Sequence, residues 1–379
     1  MGSVSFLLIV VVLTALAFDF TNGFHDTANS MATSVATGAL RPRLAVTVAG
    51  VLNLVGAFVS TAVAKTISGG IVNDAKVSLV MIFAGLVGAI LWNLMTWLAG
   101  LPSSSSHALF GGLIGAVWVG AGGSAVKFGA IVEKILIPAV LSPIVAGIVA
   151  VLATYFAYLI TRRTTPDRAQ RGFRRGQIGS ASLVALAHGT NDAQKTMGVI
   201  TLALISAGVL AHDSGPPWWV VLTSGLAIAL GTYTGGWRII RTMGRGLTDI
   251  EAPQGFAAET SATAVILASS HMGFPLSTTQ VCTGSILGAG LGRKLAEVRW
   301  GTAGRIALSW LLTLPAAAAV GGAAAWIAGH GTAGVALVAA AAAASAAGFW
   351  ALSRRRPVTP DNVNELPAPL PQPAGETAA

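Results

Sequence analysis

Long apolar runs separated by short polar stretches dominate the chain. They cover 4–38, 44–64, 77–100, 103–124, 135–161, 178–210, 217–237, 253–273, 275–292, 305–328 and 332–352, which predicts eleven helical membrane segments. Most reach the roughly 20 residues a helix needs to cross a hydrocarbon core. Two are interrupted by polar residues, the first at 19–30 and the sixth at 188–196, and the run at 275–292 is polar at its start. Polar interruptions in apolar segments predict broken or re-entrant helices around an interior site. The expected fold class is an all-α polytopic membrane protein.

The polar interruptions repeat. Gly23-Phe24-His25-Asp26-Thr27-Ala28-Asn29-Ser30-Met31 is matched 166 residues later by Gly189-Thr190-Asn191-Asp192-Ala193-Gln194-Lys195-Thr196-Met197. Leu101-Pro102-Ser103-Ser104-Ser105-Ser106-His107 is matched at an offset of 173 by Phe274-Pro275-Leu276-Ser277-Thr278-Thr279-Gln280. Two motifs in the same order at similar offsets point to duplication. Five segments precede the polar stretch 162–177, so the second copy would enter the membrane from the opposite face, as in inverted-repeat transporters. The organisation expected is a first transmembrane repeat (1–161), a basic cytoplasmic linker (162–177), a second inverted repeat (178–330), an additional helix (331–353) and a disordered cytoplasmic tail (354–379).

Composition narrows the class. Of 379 residues, 54% are hydrophobic and only 10% charged, with a mean hydropathy of +0.72. Soluble domains carry about 25% charged residues, so an ordinary cytosolic enzyme is excluded. The single cysteine, Cys282, permits no intrachain disulfide and no cysteine-based zinc site. Neither an HExxH nor a GxxxxGK[ST] motif occurs, which argues against a metalloprotease or an ATP-driven pump. The net charge of +9 lies in short loops and reports topology, not nucleic acid. With Met1 outside, 18 basic residues fall inside, Lys294 among them, against four outside, so the N-terminus is expected outside and the C-terminus in the cytoplasm. The apolar N-terminus lacks a basic n-region and a cleavage site, so it reads as a first membrane segment.

Four acids lie within apolar segments: Asp19, Asp26, Asp192 and Glu259. A carboxylate at membrane depth costs about 2.5–3.5 kcal/mol or more unless it has a partner or a watery cavity. Asp26 and Asp192, related by the duplication, are candidates to bind a coupling cation or a proton; an ion pair with Lys195 is the structural alternative. Asp19, beside the expected break, would serve equally as a helix cap. The Ser/Thr clusters each follow a proline, which opens a helix well. Hydroxyls and free N–H groups there converge with the helix's partial positive charge on one spot, a setting for a tetrahedral oxyanion. The hydroxyls in register are Ser104, Ser105, Ser106 and Ser277, Thr278, Thr279. His25, His107 and His188 adjoin these motifs and are candidates for a proton or a metal–oxyanion contact.

The run Asn22-Gly-Phe-His-Asp-Thr-Ala-Asn-Ser, with Ala187-His-Gly-Thr-Asn-Asp-Ala-Gln-Lys-Thr, resembles the paired signatures of the inorganic phosphate transporter (PiT) family. Gly-Leu-Pro-Ser-Ser-Ser-Ser-His and Gly-Phe-Pro-Leu-Ser-Thr-Thr-Gln are similar to its other hallmark stretches. The resemblance implies a phosphate symporter coupled to Na+ or H+, in some members carrying a neutral metal–phosphate complex, and needing no other cofactor. It implies cation coupling at Asp26 and Asp192, with Asn22, Asn191, Gln280 and Glu259, and phosphate at the Ser/Thr cluster with Asn29 and Lys195. The early acid of animal members is replaced here by Asn53, and their large central loop is reduced to about 16 residues. A sulfate or other oxyanion permease on the same scaffold is the alternative. The remaining expectations are a plasma (inner) membrane location, bilayer lipid as the surround, no nucleic-acid partner, and a homo-oligomer, such as a dimer, packed through Gly-rich 111–123 or Ala-rich 336–347.

Overall fold

Where water is excluded, every backbone N–H and C=O needs an internal partner, and the chain answers with helices almost throughout. The computed structural model describes residues 5–293 and 298–365. Lys294 and tail residues 366–379 lie outside the described residues. The first half comprises α1 (Phe6–Ala36), α2 (Pro42–Ala57), α3 (Ala62–Gly70), α4 (Leu79–Ala99), α5 (Ser105–Ala121), α6 (Phe128–Ile131) and α7 (Ile137–Thr161). The second comprises α8 (Pro166–Ser206), α9 (Trp218–Thr234), α10 (Trp237–Arg241), α11 (Ala252–His271), α12 (Thr278–Leu291) and α13 (Trp300–Ala328), and α14 (Thr332–Ser353) follows. A π-helical turn, Val132–Leu136, joins α6 to α7 without interruption.

The halves share an order: a long helix, a helix interrupted near its middle, a helix, a short helix entered through an extended proline segment, and a long helix. The duplication reaches the loops, where the isolated bridges Val72–Val126 and Thr248–Val298 tie corresponding connections together. Helices α1 and α8 run antiparallel. Asp26 lies beside Asp192, whereas Thr37, farther along α1, donates to Gln177, farther back along α8 (2.7 Å). The first helices of the two halves thus run in opposite directions.

Five described helices are long and apolar enough to cross a membrane, six if the pair α2–α3, bent by 72°, forms one span. Every apolar run of the sequence contains a helix, but not all of these helices have the length of a crossing. At 17 residues α5 is about 26 Å long and at 14 residues α12 about 21 Å, short of a core of about 30 Å. Helix α5 folds back along α4, and α12 along α11, giving two helical hairpins.

Close helix contact is set by glycines at matching places. A Cβ at Gly111 or Gly115 on α5 would strike the carbonyls of Leu314 or Ala318 on α13. A Cβ at Gly284 or Gly288 on α12 would strike those of Pro143 or Gly147 on α7. Each half's short helix therefore packs on the last long helix of the other half. The signature glycines act likewise: Gly23 lies against the α9 backbone and Gly189 against the α2 backbone at Asn53. Removing the side chain is what lets backbones approach this closely. Gly111 and Gly115 are thus spent inside the protomer, and only 336–347 of the two proposed oligomer faces stays largely exposed.

Three expectations need correction. The polar motifs at 19–30 and 188–196 do not break their helices: α1 runs unbroken for 31 residues and α8 for 41. Several of their polar side chains reach other helices, and Thr21 and Thr27 bond carbonyls of α1 itself (2.7 and 2.8 Å); the backbone runs helical through both motifs, so Asp19 lies inside α1 and is not a cap. The breaks lie instead between α2 and α3, where Gln194 of α8 accepts from the N–H of Val63 (2.8 Å), and at Gly235 after α9, whose φ is +75°. Secondly, 162–177 is a loop only to Thr165; from Pro166 it is the first three turns of α8. Thirdly, the described part of the tail is docked. Val363 is buried, Asn362 takes two hydrogen bonds from Arg241 (2.8 and 2.9 Å), and Asn364 donates to the carbonyl of Val35 (3.3 Å).

Candidate functional site

On α1, Asp19, Asn22, Asp26, Asn29 and Thr33 recur at intervals of three or four, which lines them on one face. All are buried. The hairpin tips meet this stripe. Ser104 caps α5 by accepting from the N–H of His107 (3.1 Å), and Ser277 caps α12 by accepting from Gln280 N–H (3.3 Å). The caps have nearly the same backbone angles, φ −92° and ψ 104° against −84° and 103°. Ser104 and Ser277 are thus engaged at the helix ends, and the hydroxyls that follow face the aspartates.

Asp26 accepts from Ser105 Oγ (2.6 Å) and Thr279 Oγ1 (3.2 Å), one residue from each hairpin. Its other oxygen lies 2.6 Å from His25 Nδ1. Asp192 accepts from Thr278 Oγ1 (3.1 Å) and Lys195 Nζ (2.6 Å), with His188 Nε2 at 3.3 Å. Lys195 also donates to Ser106 Oγ (2.5 Å), which donates to the carbonyl of Leu276 in the opposite tip (3.2 Å). Asn29 Nδ2 donates to Thr278 and Thr279 (3.2 and 3.1 Å). The ligand atoms of Asp26, Asp192 and His188 lie within 4.8 Å of one another. That arrangement suits a cation. Two carboxylates at that distance repel by about 3.5 kcal/mol at an effective dielectric of 20.

The fourth acid has its own enclosure. Glu259 of α11 accepts from Thr33 (2.5 Å), Ser34 (2.6 Å), Gln177 (3.1 Å) and Ser180 (2.5 Å), so helices α1, α8 and α11 are tied by one carboxylate. A cavity of about 10 Å³, lined by Asn29, Thr33, Glu259 and Cys282 among others, has the room of about one water. It lies between this enclosure and the Asp26–Asp192 centre.

Most expected site residues converge, and some do not. Asn191 donates away from the carboxylates, to Ser270 (2.8 Å). His107 and Gln280, in register between the repeats, line a separate cavity of about 440 Å³ with Pro143 and Pro315. Their side chains make no hydrogen bond to either aspartate. Asn53, standing where animal members have an acid, lies 3.2 Å from His188 Nδ1 and donates to Thr232 (2.8 Å). Sequence reasoning missed Thr33, Ser34, Gln177 and Ser180. Thr33 had a signal, two turns beyond Asp26 on the same face; Gln177 had none, at the end of a basic stretch. Asp19 is fully buried with both oxygens unpaired, as are both polar atoms of Asn22 and the hydroxyl of Thr196, and Asp19 faces these two side chains.

With that geometry in hand, comparison with known proteins is decisive: residues 22–321 match the phosphate transporter family. The chain belongs to this family. A Mycobacterium tuberculosis protein described as a probable low-affinity inorganic phosphate transporter is 56% identical over 364 residues, covering 95% of this chain and 87% of its own. A Bacillus subtilis protein of the same description is 44% identical over 323 residues, covering 85% and 97%. A solved structure titled the sodium-dependent phosphate transporter aligns with a TM-score of 0.77 at 26% identity, over 85% of this chain and 99% of that one. Members of this family of phosphate transporters are carriers rather than enzymes, and the helices make this member a multi-pass membrane protein.

Proposed function

We propose that this family member is a secondary active symporter that imports inorganic phosphate with Na+ or H+, by alternating access around the Asp26–Asp192 centre. One observation carries the reading: the hydroxyls that begin two opposed half-helices donate to two neighbouring carboxylates. Ser105 and Thr279 are held by Asp26, and Thr278 by Asp192. An acceptor-rich anion and a carboxylate compete for the same O–H donors. A cation arriving at the carboxylates weakens their hold and adds the charge an anion requires, so each ligand prepares the site for the other.

In this scheme Ser105, Ser106, Thr278, Thr279, Asn29 and Lys195 supply donors to phosphate, with Ser104 and Ser277 fixing the helix starts whose dipoles face it. Asp26 and Asp192 take the cation, with Asn22 beside them. Asn191 ties the middle of α8 to Ser270 near the end of α11, Gln280 gives its N–H to the Ser277 cap of α12, and Glu259 holds the next enclosure along α1. His25 and His188 adjoin the carboxylates, where a proton or the metal of a metal–phosphate complex would be met; His107 acts at one remove. We further assign the chain to the plasma membrane of a bacterium, N-terminus outside and C-terminus in the cytoplasm, as a homodimer.

The test is labelled phosphate uptake into proteoliposomes under a sodium gradient or a pH gradient imposed separately, with unlabelled sulfate as competitor. Concentrative uptake under one gradient, insensitive to sulfate, is expected. Uptake of sulfate with phosphate ignored would make the protein an oxyanion carrier of another substrate, and no concentrative uptake would end the symport reading.

A further inference from the structure

The duplication pairs Asn29 with Lys195 at the same 166-residue offset that pairs Asp26 with Asp192. One half thus carries a neutral amide where the other carries an ammonium; each aspartate has a histidine beside it, His25 for Asp26 and His188 for Asp192, although these two are not related by the offset. Asn29 donates to Thr278 and Thr279 at the tip of one hairpin, and Lys195 to Ser106 at the tip of the other. Both aspartates accept from the hairpin hydroxyls. The difference lies in charge. Lys195 Nζ stands 2.6 Å from Asp192, both side chains buried to within 1%, while Asp26 is met by hydroxyls and His25, with no lysine or arginine among its described partners.

We propose that Lys195 is a tethered substitute for one of two coupling cations. Its ammonium permanently fills beside Asp192 the place that a mobile cation fills beside Asp26. The inference rests on the symport reading and deepens it by fixing how many cations travel. Counting the groups that define the centre, Asp26, Asp192 and Lys195, two carboxylates and one ammonium leave one unbalanced negative charge, which one monovalent cation neutralises. The other charged or titratable groups near Lys195 are His188 on the far oxygen of Asp192, Asp19 of α1 and His107 of α5. A cation fixed to the backbone never leaves with the substrate, so it contributes positive charge to anion binding and nothing to the driving force. Phosphate accumulation is then bounded by the gradient of a single cation. A transporter with an amide at both positions would need two cations and would draw on both gradients.

The experiment compares wild type with Lys195→Asn, which gives the second half the residue of the first. Phosphate uptake is measured against cation concentration, together with the charge moved per phosphate, in proteoliposomes. Wild type is expected to show a Hill coefficient for the cation of about 1, and the variant about 2, with the charge per phosphate more positive by one elementary charge. Unchanged cation dependence and unchanged charge in the variant overturn the proposal, as does a wild-type coefficient near 2. If Lys195→Asn is inserted but inactive, thermal melting of the purified protein against cation reads the same point without transport. A second saturable cation shift supports the substitution, and its absence overturns it. Should Lys195→Asn fail to fold, Asn29→Lys is the reciprocal variant: phosphate binding that no longer responds to the cation is expected, and binding with wild-type cation dependence refutes the idea. Absence of any cation-coupled phosphate uptake by the wild type would instead remove the symport reading itself.

Discussion

Replacing Asp26 by Asn separates the stability of the site from its cation chemistry. In the native protein its carboxylate faces Asp192 and His188 with ligand atoms within 4.8 Å, so removing the charge relieves about 3.5 kcal/mol of repulsion at an effective dielectric of 20. Against this, the short contacts from Ser105 and His25, both 2.6 Å, lose their charge-assisted character, at roughly 1.5–3 kcal/mol each. The two effects partly cancel, and the variant is expected to lie between about 0.5 kcal/mol more stable and about 2.5 kcal/mol less stable than wild type when no cation is present. A cation held about 4 Å from Asp26 loses about 4 kcal/mol of attraction, so its affinity falls about a thousandfold. The assay is thermal denaturation in detergent across a cation titration, paired with phosphate uptake in proteoliposomes. A melting midpoint that still rises with cation at wild-type concentrations, or uptake close to wild type, would refute the reasoning.

Three further outcomes are expected. In Glu259→Gln the new amide group turns toward Ser180, whose hydroxyl can reverse and accept, so stability falls by only about 1 kcal/mol while uptake drops at least about tenfold, since intramembrane acids are retained for function; undiminished uptake would make Glu259 a structural tie alone. Asp19→Asn removes a buried carboxylate with no hydrogen-bond partner and is expected to hold or raise the melting temperature while lowering uptake, because an unpaired buried acid is a burden that function must justify; a drop in melting temperature would show a structural partner. Gly112→Ala drives a Cβ into the Gly85 carbonyl of α4 and is expected to destabilise by about 1–3 kcal/mol, whereas Gly348→Ala on α14, with open space around it, should stabilise by about 0.5–1 kcal/mol; equal melting temperatures for the two variants would contradict the packing.

Much of the molecule was legible in its residues because the information is local or repeated. Apolar runs of helical length announce helices wherever water is absent, and the paired motifs announce duplication whatever their surroundings. Asp26, Asp192 and the Ser/Thr clusters stood out because a buried acid or a row of hydroxyls is anomalous in such a run. Prolines 102 and 275 lie just ahead of the short helices, which begin at Ser105 and Thr278 behind the caps Ser104 and Ser277.

Tertiary structure alone decided what depends on pairing across distance. A polar run inside an apolar segment reads as a break until its partners are known. Asp26 is met by both hairpins and Asp192 by Thr278 of the second, and α1 and α8 continue straight through both motifs. The enclosure of Glu259 draws Thr33, Ser34, Gln177 and Ser180 from two other helices, a set with no common spacing in the chain. The docking of Asn362 and Val363 against the helices likewise turns on contacts more than 100 residues away. Which acid keeps a lysine follows from i, i+3 spacing within α8, but its consequence appears only when antiparallel packing sets that pair beside Asp26. Periodicity reports which faces are polar; only the crossing of helices determines which polar faces meet.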